Sequence, residues 1–192
     1  TTIHDQRVSF TLTGSDPDGD ALLFNLESFP SHGVLSGFVP DMIYIPDEGF
    51  VGEDSFTFIV FDGIVASELA TVTLQVINNA PVADPLAVAT SMDQRVSFTL
   101  TGSDPDGDAL LFNLESFPSH GVLSGFVPDM IYIPDEGFVG EDSFTFVVFD
   151  GYDVSMPETV SIKVTTPPVA NPQTVTTIHD QRVSFTLTGS DP

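Results

Sequence analysis

Residues 5–63 read DQRVSFTLTGSDPDGDALLFNLESFPSHGVLSGFVPDMIYIPDEGFVGEDSFTFIVFDG, and in segment after segment of them apolar side chains fall at every second position. Val8, Phe10 and Leu12 lie on one side of an extended chain, with Ser9, Thr11 and Thr13 on the other. Leu22, Phe24 and Leu26 repeat the pattern around Asn25. Residues 33–36 and 42–45 read as a short hairpin pair, and Phe56, Phe58 and Val60 continue the inward set. A period of two is what strands half-buried against a core require, and helical periodicity is essentially missing. Turn formers separate the runs: Asp18-Gly19, Pro30, Pro40-Asp41, Pro46-Asp47, Gly49 and Asp62-Gly63. Ala70, Val72, Leu74 and Val76 then alternate with Thr71, Thr73 and Gln75.

The same stretch returns at residues 93–151 with one change, Ile59 to Val147, while the flanks 64–92 and 152–179 are related but different. Residues 176–192 copy residues 1–17 letter for letter. Repetition at this scale decides architecture, and such arrays serve reach, spacing or assembly more readily than chemistry. With a first strand at Leu86–Thr90, each unit of roughly 88 residues holds about seven short strands. That number and spacing predict an all-β fold of tandem antiparallel sandwiches of immunoglobulin type, without the Cys and Trp often found in them. The expected domains are 1–79, whose linker and first strand are missing, 80–167, and 168–192 as the opening of a third. Proline-stiffened seams at residues 78–85 and 166–172 join them as short spacers.

The balance of 28 acidic against four basic side chains, a net charge of −24, repels nucleic acid and anionic lipid. No cysteine is present, so stability has to come from the core, from metal or from neighbouring repeats. No apolar run approaches the roughly 20 residues of a membrane span. Any targeting segment is expected outside these residues.

The run DPDGD, then PSHGVL, IYIP, GFVGEDSFTF and FDG, closed by APVADP, resembles the bacterial cadherin-like tandem repeat of large surface proteins and adhesins. The resemblance covers both full units. It implies an extracellular, cell-surface location, immunoglobulin-type sandwiches strung into stalks, and calcium as the bound cofactor.

Asp16-Pro17-Asp18-Gly19-Asp20, repeated at 104–108, is the strongest site signal: three carboxylates at alternate positions with a glycine between can wrap a hard cation. The bland reading is an acidic turn between two strands. In an immunoglobulin-type sandwich the B–C and F–G loops share one end, which predicts Asp104, Asp106 and Asp108 near Asp150 and the linker residue Asp84. Glu53 and Asp54 of the first unit are expected to face the same junction, as cadherin calcium sites do by resemblance; a site within one loop is the alternative. The candidate ligands are therefore Asp16, Asp18, Asp20, Glu53, Asp54 and Asp62; Asp84, Asp104, Asp106, Asp108, Glu141, Asp142 and Asp150; and Asn171 and Asp191.

His32 and His120 follow serines in a PSHG turn, but Gly33-Val34-Leu35-Ser36-Gly37 does not have the order of a hydrolase elbow, so no enzyme is expected. Phe38-Val39 and Phe126-Val127, with Ile59, Phe61, Val147 and Phe149, either mark an interaction surface or fold over the sandwich. The function expected is a structural repeat, a stalk or the body of a filament that mediates adhesion or assembly. A carbohydrate- or protein-binding accessory module of a secreted enzyme is the alternative. Partners are further copies of the repeat, in the same chain or, by strand donation, in neighbouring subunits; exact duplication of residues 1–17 favours one long covalent array.

Overall fold

The computed structural model describes residues 1–190, and among them there is no helix. The chain divides into two compact units, Thr1–Asn79 and Ala80–Pro192. The first is built from β1 (Thr2–Ile3), β2 (Val8–Thr11), β3 (Leu23–Leu26), β4 (Gly33–Phe38), β5 (Asp41–Pro46), β6 (Gly52–Phe61) and β7 (Ala70–Ile77). They form two sheets, β1-β7-β6-β3 and β2-β5-β4. The alternation is answered side chain by side chain: Phe56, Phe58, Leu74 and Val76 of one sheet and Met42 and Tyr44 of the other are buried between the layers. Ring pairs cross the gap, with Phe10 and Phe56 centroids 5.8 Å apart.

The second unit adds a strand at its start. It contains β8 (Val82–Ala83), β9 (Leu86–Ser91), β10 (Val96–Thr99), β11 (Gly102–Ser103), β12 (Leu111–Leu114), β13 (Gly121–Phe126), β14 (Asp129–Pro134), β15 (Gly140–Phe149) and β16 (Glu158–Thr165). Its sheets are β12-β15-β16-β9 and β10-β14-β13, with β8 and β11 paired separately. Strand β9 joins β16 in parallel, from Leu86 opposite Val160 to Ser91 opposite Thr165. All other pairings within these sheets are antiparallel. The parallel edge follows from connectivity: β9 leads into β10 of the opposite sheet and so is free of any hairpin constraint. Beyond β16, β17 (Val169–Ala170) pairs with β18 (Gly189–Ser190).

One buried cluster fixes the corner before β4 and β13. The rhythm of β6 puts Asp54 on the same inward face as Phe56 and Phe58, and the residue is buried with them. Its carboxylate accepts the N–H groups of Ser31 and His32, each at 2.9 Å, the N–H of Ser55 at 2.8 Å, and the Tyr44 hydroxyl at 3.0 Å. Burial alone would raise its pKa, but these four donors outweigh it and hold the carboxyl below the usual range. Tyr44, fully buried, also donates to the His32 carbonyl at 3.0 Å and is pushed up by burial and by the Asp54 charge. Asp142, Tyr132, Ser119 and His120 reproduce the cluster. The imidazoles of His32 and His120 stack on Phe50 and Phe138 at 4.4 and 4.5 Å, so the PSHG turn is a packed corner.

Candidate metal centre

The loop between β11 and β12 is shaped by its own first residue. Oδ1 of Asp104 accepts the N–H groups of Asp106 and Gly107 at 2.8 Å and of Asp108 at 3.0 Å, and Gly107 takes φ 93° to let the chain turn back. At the end of β15, Oδ1 of Asp150 accepts Tyr152 and Asp153 N–H groups at 2.7 Å and closes a second turn. The two turns meet: one carboxylate oxygen from each of Asp104, Asp108 and Asp150 lies within 4.8 Å of the others. Asp150 is 6% exposed, and Oδ2 of Asp104 is buried with no hydrogen-bond partner.

Three carboxylates this close repel one another unless a positive charge lies between them. Two oxygens bound to one calcium at about 2.4 Å can stand no more than about 4.8 Å apart, so the observed spacing suits that ion. An all-oxygen donor set selects a hard cation over zinc or copper. The orphaned Asp104 oxygen is the group such an ion would satisfy.

The remaining candidates are placed as follows. Asp106 shares the loop but is not one of the converging three. Asp84 anchors the linker through its N–H to the Thr101 carbonyl at 3.0 Å. Glu141 is exposed and stands opposite Lys163 in the sheet register. Glu53 accepts the Gln75 amide at 2.7 Å on an exposed face. Asp54 and Asp142 stand apart from the converging three: their oxygens accept protein donors in the buried corner. The signal was present in the sequence, since Asp54 keeps phase with Phe56 and Phe58, and a buried tyrosine needs a partner. The Asn171 amide reaches the Thr188 hydroxyl at 3.3 Å, and Asp191 lies outside the described residues.

The first unit carries the same letters with a different result. Oδ1 of Asp16 accepts Asp18 and Asp20 N–H groups at 2.9 and 3.1 Å, and Asp62 closes its own turn onto Ile64 and Val65. Yet among the described residues of that unit, no three acidic or histidine side chains converge as in the second. In the second unit the β8–β11 pair holds the root of the 104–108 loop, with Gly102 opposite Ala83 and Ser103 opposite Val82. Phe38 and Phe126 are each 90% exposed at the tips of the β4–β5 and β13–β14 hairpins, beside the exposed Val39 and Val127. Val147 is buried, and Ile59, Phe61 and Phe149 are half-buried.

A sequence profile described as bacterial Ig domain matches residues 1–75 and again residues 78–163. The chain belongs to the bacterial Ig domain family. It is 31% identical to "Integrin beta-like protein B" of Dictyostelium discoideum, over 50% of this chain and 6% of that protein. An endo-fucoidan hydrolase of glycoside hydrolase family 107 aligns over 86% of this chain and 27% of its own, with 25% identity and a TM-score of 0.38. The D00-D0 domain of intimin aligns over 84% of this chain and 94% of its own, with 14% identity and a TM-score of 0.31. The bacterial Ig repeats here thus span small fractions of the first two proteins. No helix among the described residues is long and apolar enough to cross a membrane.

Proposed function

We propose that this chain is a non-catalytic structural module, a repeat in the stalk or filament body of an extracellular bacterial surface protein, stiffened by calcium. The observation that carries the reading is the convergence of Asp104, Asp108 and Asp150 around a buried, unpartnered oxygen within a unit that recurs along the chain. A bound calcium supplies positive charge that ties the two turns together; the chain's part is to hold the carboxylates in place through the backbone N–H groups of residues 106–108 and 152–153. Fixing those turns stiffens the loop end of the sandwich. The net charge of −24 supports a solvated module that avoids nucleic acid and anionic membranes.

Calorimetric titration of the chelator-stripped chain with calcium, paired with thermal melts, tests the reading. Saturable binding and a raised melting temperature are expected. At 100–1,000 times the dissociation constant the folded state gains about 3–4 kcal/mol. Absence of both heat and melting shift would refute the calcium-stiffened module.

A further inference from the structure

Strands β4 and β13 end their sheets in both units, with β5 or β14 on one side and, among the described residues, no strand on the other. The ladder to β14 determines which backbone groups are left over. Asp135 donates its N–H to the His120 carbonyl at 2.9 Å, and Pro134, opposite Gly121, has no N–H to give. Bonded and unbonded pairs alternate in an antiparallel ladder. Val122 and Ser124 therefore bond to β14, while Gly121 and Leu123 turn their N–H and C=O groups to the open side. The first unit repeats the pattern with Asp47, His32 and Pro46, which leaves the groups of Gly33 and Leu35 on the open side. Gly125 takes φ 100° and ends the extended stretch, so the usable edge is Gly121–Ser124.

Open edges are commonly guarded by a charged side chain or a proline. Strand β13 reads GVLSGF and carries neither. Asp129, at the hairpin tip, is the single charge on β13 and β14, and its Oδ1 accepts the Thr99 hydroxyl at 2.7 Å. On the solvent side Val122 is 57% exposed, and Ile133 opposite it is exposed as well. All this stands in a chain of net charge −24. Copies that approach through acidic surfaces repel one another, whereas at this edge they meet without like charges. A basic partner, conversely, finds no row of carboxylates here to hold it. Gly121 and Leu123 also lie symmetrically about Val122, so the edge is complementary to itself under a two-fold rotation. The occupant that fits is the same edge of a second copy.

We propose that β13 of one copy pairs antiparallel with β13 of a second copy about a two-fold axis at Val122, so that two three-stranded sheets join edge to edge. Strand β4, identical to β13 residue for residue, pairs in the same way. In this register Gly121 of each copy faces Leu123 of the other, and the two pairs supply about four main-chain hydrogen bonds. The two Val122 side chains meet in the unbonded pair between them, where Cα atoms stand about 4.5 Å apart. Each copy thereby removes from water an apolar side chain that it otherwise exposes. The proposal rests on the structural-module reading and names its lateral partner; calcium binding is read independently of it.

The chain has no cysteine, which gives a clean test. A Val34→Cys, Val122→Cys variant is oxidised beside a Ser36→Cys, Ser124→Cys control. The valine positions meet at the axis within reach of a disulfide, whereas the serine positions of two copies stand about 13 Å apart. The expected result is about ten-fold more disulfide-linked dimer from the valine positions than from the control. Sedimentation of the unmodified chain over about 0.01–1 mM should show concentration-dependent association that strengthens with salt, as repulsion between acidic copies is screened. A Val34→Glu, Val122→Glu variant, which places like charges at the axis, should stay monomeric while melting as the unmodified chain does at dilution. Cross-linking no greater than the control overturns the proposal, and a chain that is monomeric throughout does so too, leaving the edge to a different partner. Association that persists in the glutamate variant, or that weakens with salt, assigns the contact to another surface and also overturns it. Calcium titration and melts are separate readouts, so any of these failures leaves the calcium-stiffened module standing.

Discussion

The hydroxyl of Tyr132 donates to Oδ2 of Asp142 at 2.9 Å, and both residues are buried in the core of the second unit. The pair links the two sheets, since Tyr132 lies on β14 and Asp142 on β15. The same hydroxyl reaches the His120 carbonyl at 3.0 Å, tying both sheets to the PSHG corner.

Tyr132→Phe removes the one O–H shared between the Asp142 carboxylate and the His120 carbonyl, at a cost of about 1–2 kcal/mol. Asp142→Asn keeps the shape but turns an amide N–H₂ toward backbone donors, and it should cost more, about 3 kcal/mol. Urea unfolding of the two variants should rank them in that order; equal stability would mean that the corner is held by packing alone.

The depressed pKa values of Asp54 and Asp142 fix the sign of the pH dependence. Burial opposes their ionisation, but backbone N–H donors and tyrosine hydroxyls keep the folded values below the ordinary 3.8. Between the two values the unfolded chain binds more protons, so the contribution is complete above the ordinary value and is lost as pH falls through the folded one. The urea midpoint is expected to change little with these groups from neutral pH to about 5 and to drop below about 4. In an Asp54→Asn, Asp142→Asn double variant the acid drop should be shallower, and an unaltered drop would assign it to other carboxylates.

Calcium stabilisation should be unequal along the chain. Asp104→Asn removes a member of the converging three and should abolish most of the calcium-induced melting shift, whereas Asp16→Asn should remove little. Melts of both variants with calcium and with chelator decide the point. Equal losses would show that the first loop also gathers ligands when calcium is present.

Gly121 and Gly107 separate close packing from backbone freedom. A Cβ on Gly121 would stand 2.5 Å from the Tyr132 ring and 2.6 Å from the Ile133 carbonyl oxygen, so Gly121→Ala should cost about 3 kcal/mol. At Gly107 nothing lies within 4 Å and only the φ of +93° is strained, so Gly107→Ala should cost about 1 kcal/mol. Denaturant midpoints of the two variants check the order.

Phe126→Ser should change stability by no more than about 0.5 kcal/mol, because the ring is 90% exposed. A larger loss in the melting curve would mean that the ring is covered in solution.

The two-residue alternation of Val8, Phe10 and Leu12, and of Phe56, Phe58 and Val60, was enough to place strands, because only a sheet sends alternate side chains to one side. The turn chemistry of Asp18-Gly19 and Asp62-Gly63 likewise follows from the residues themselves, whose carboxylates bond to their own following N–H groups. By itself the sequence also determined the repeat, the all-β class and the acidic loops. Tertiary structure decided what identical letters become. Asp104, Asp108 and Asp150 converge because two separate turns meet, with the β8–β11 pair holding the root of one of them. Asp54 keeps phase with the core, but only the fold shows that Tyr44 and the Ser31–His32 backbone meet it, since those donors come from other elements and local pattern carries no record of them. The parallel seat of β9 on β16 likewise depends on which edges lie side by side, a long-range relation that arises only once both sheets are built.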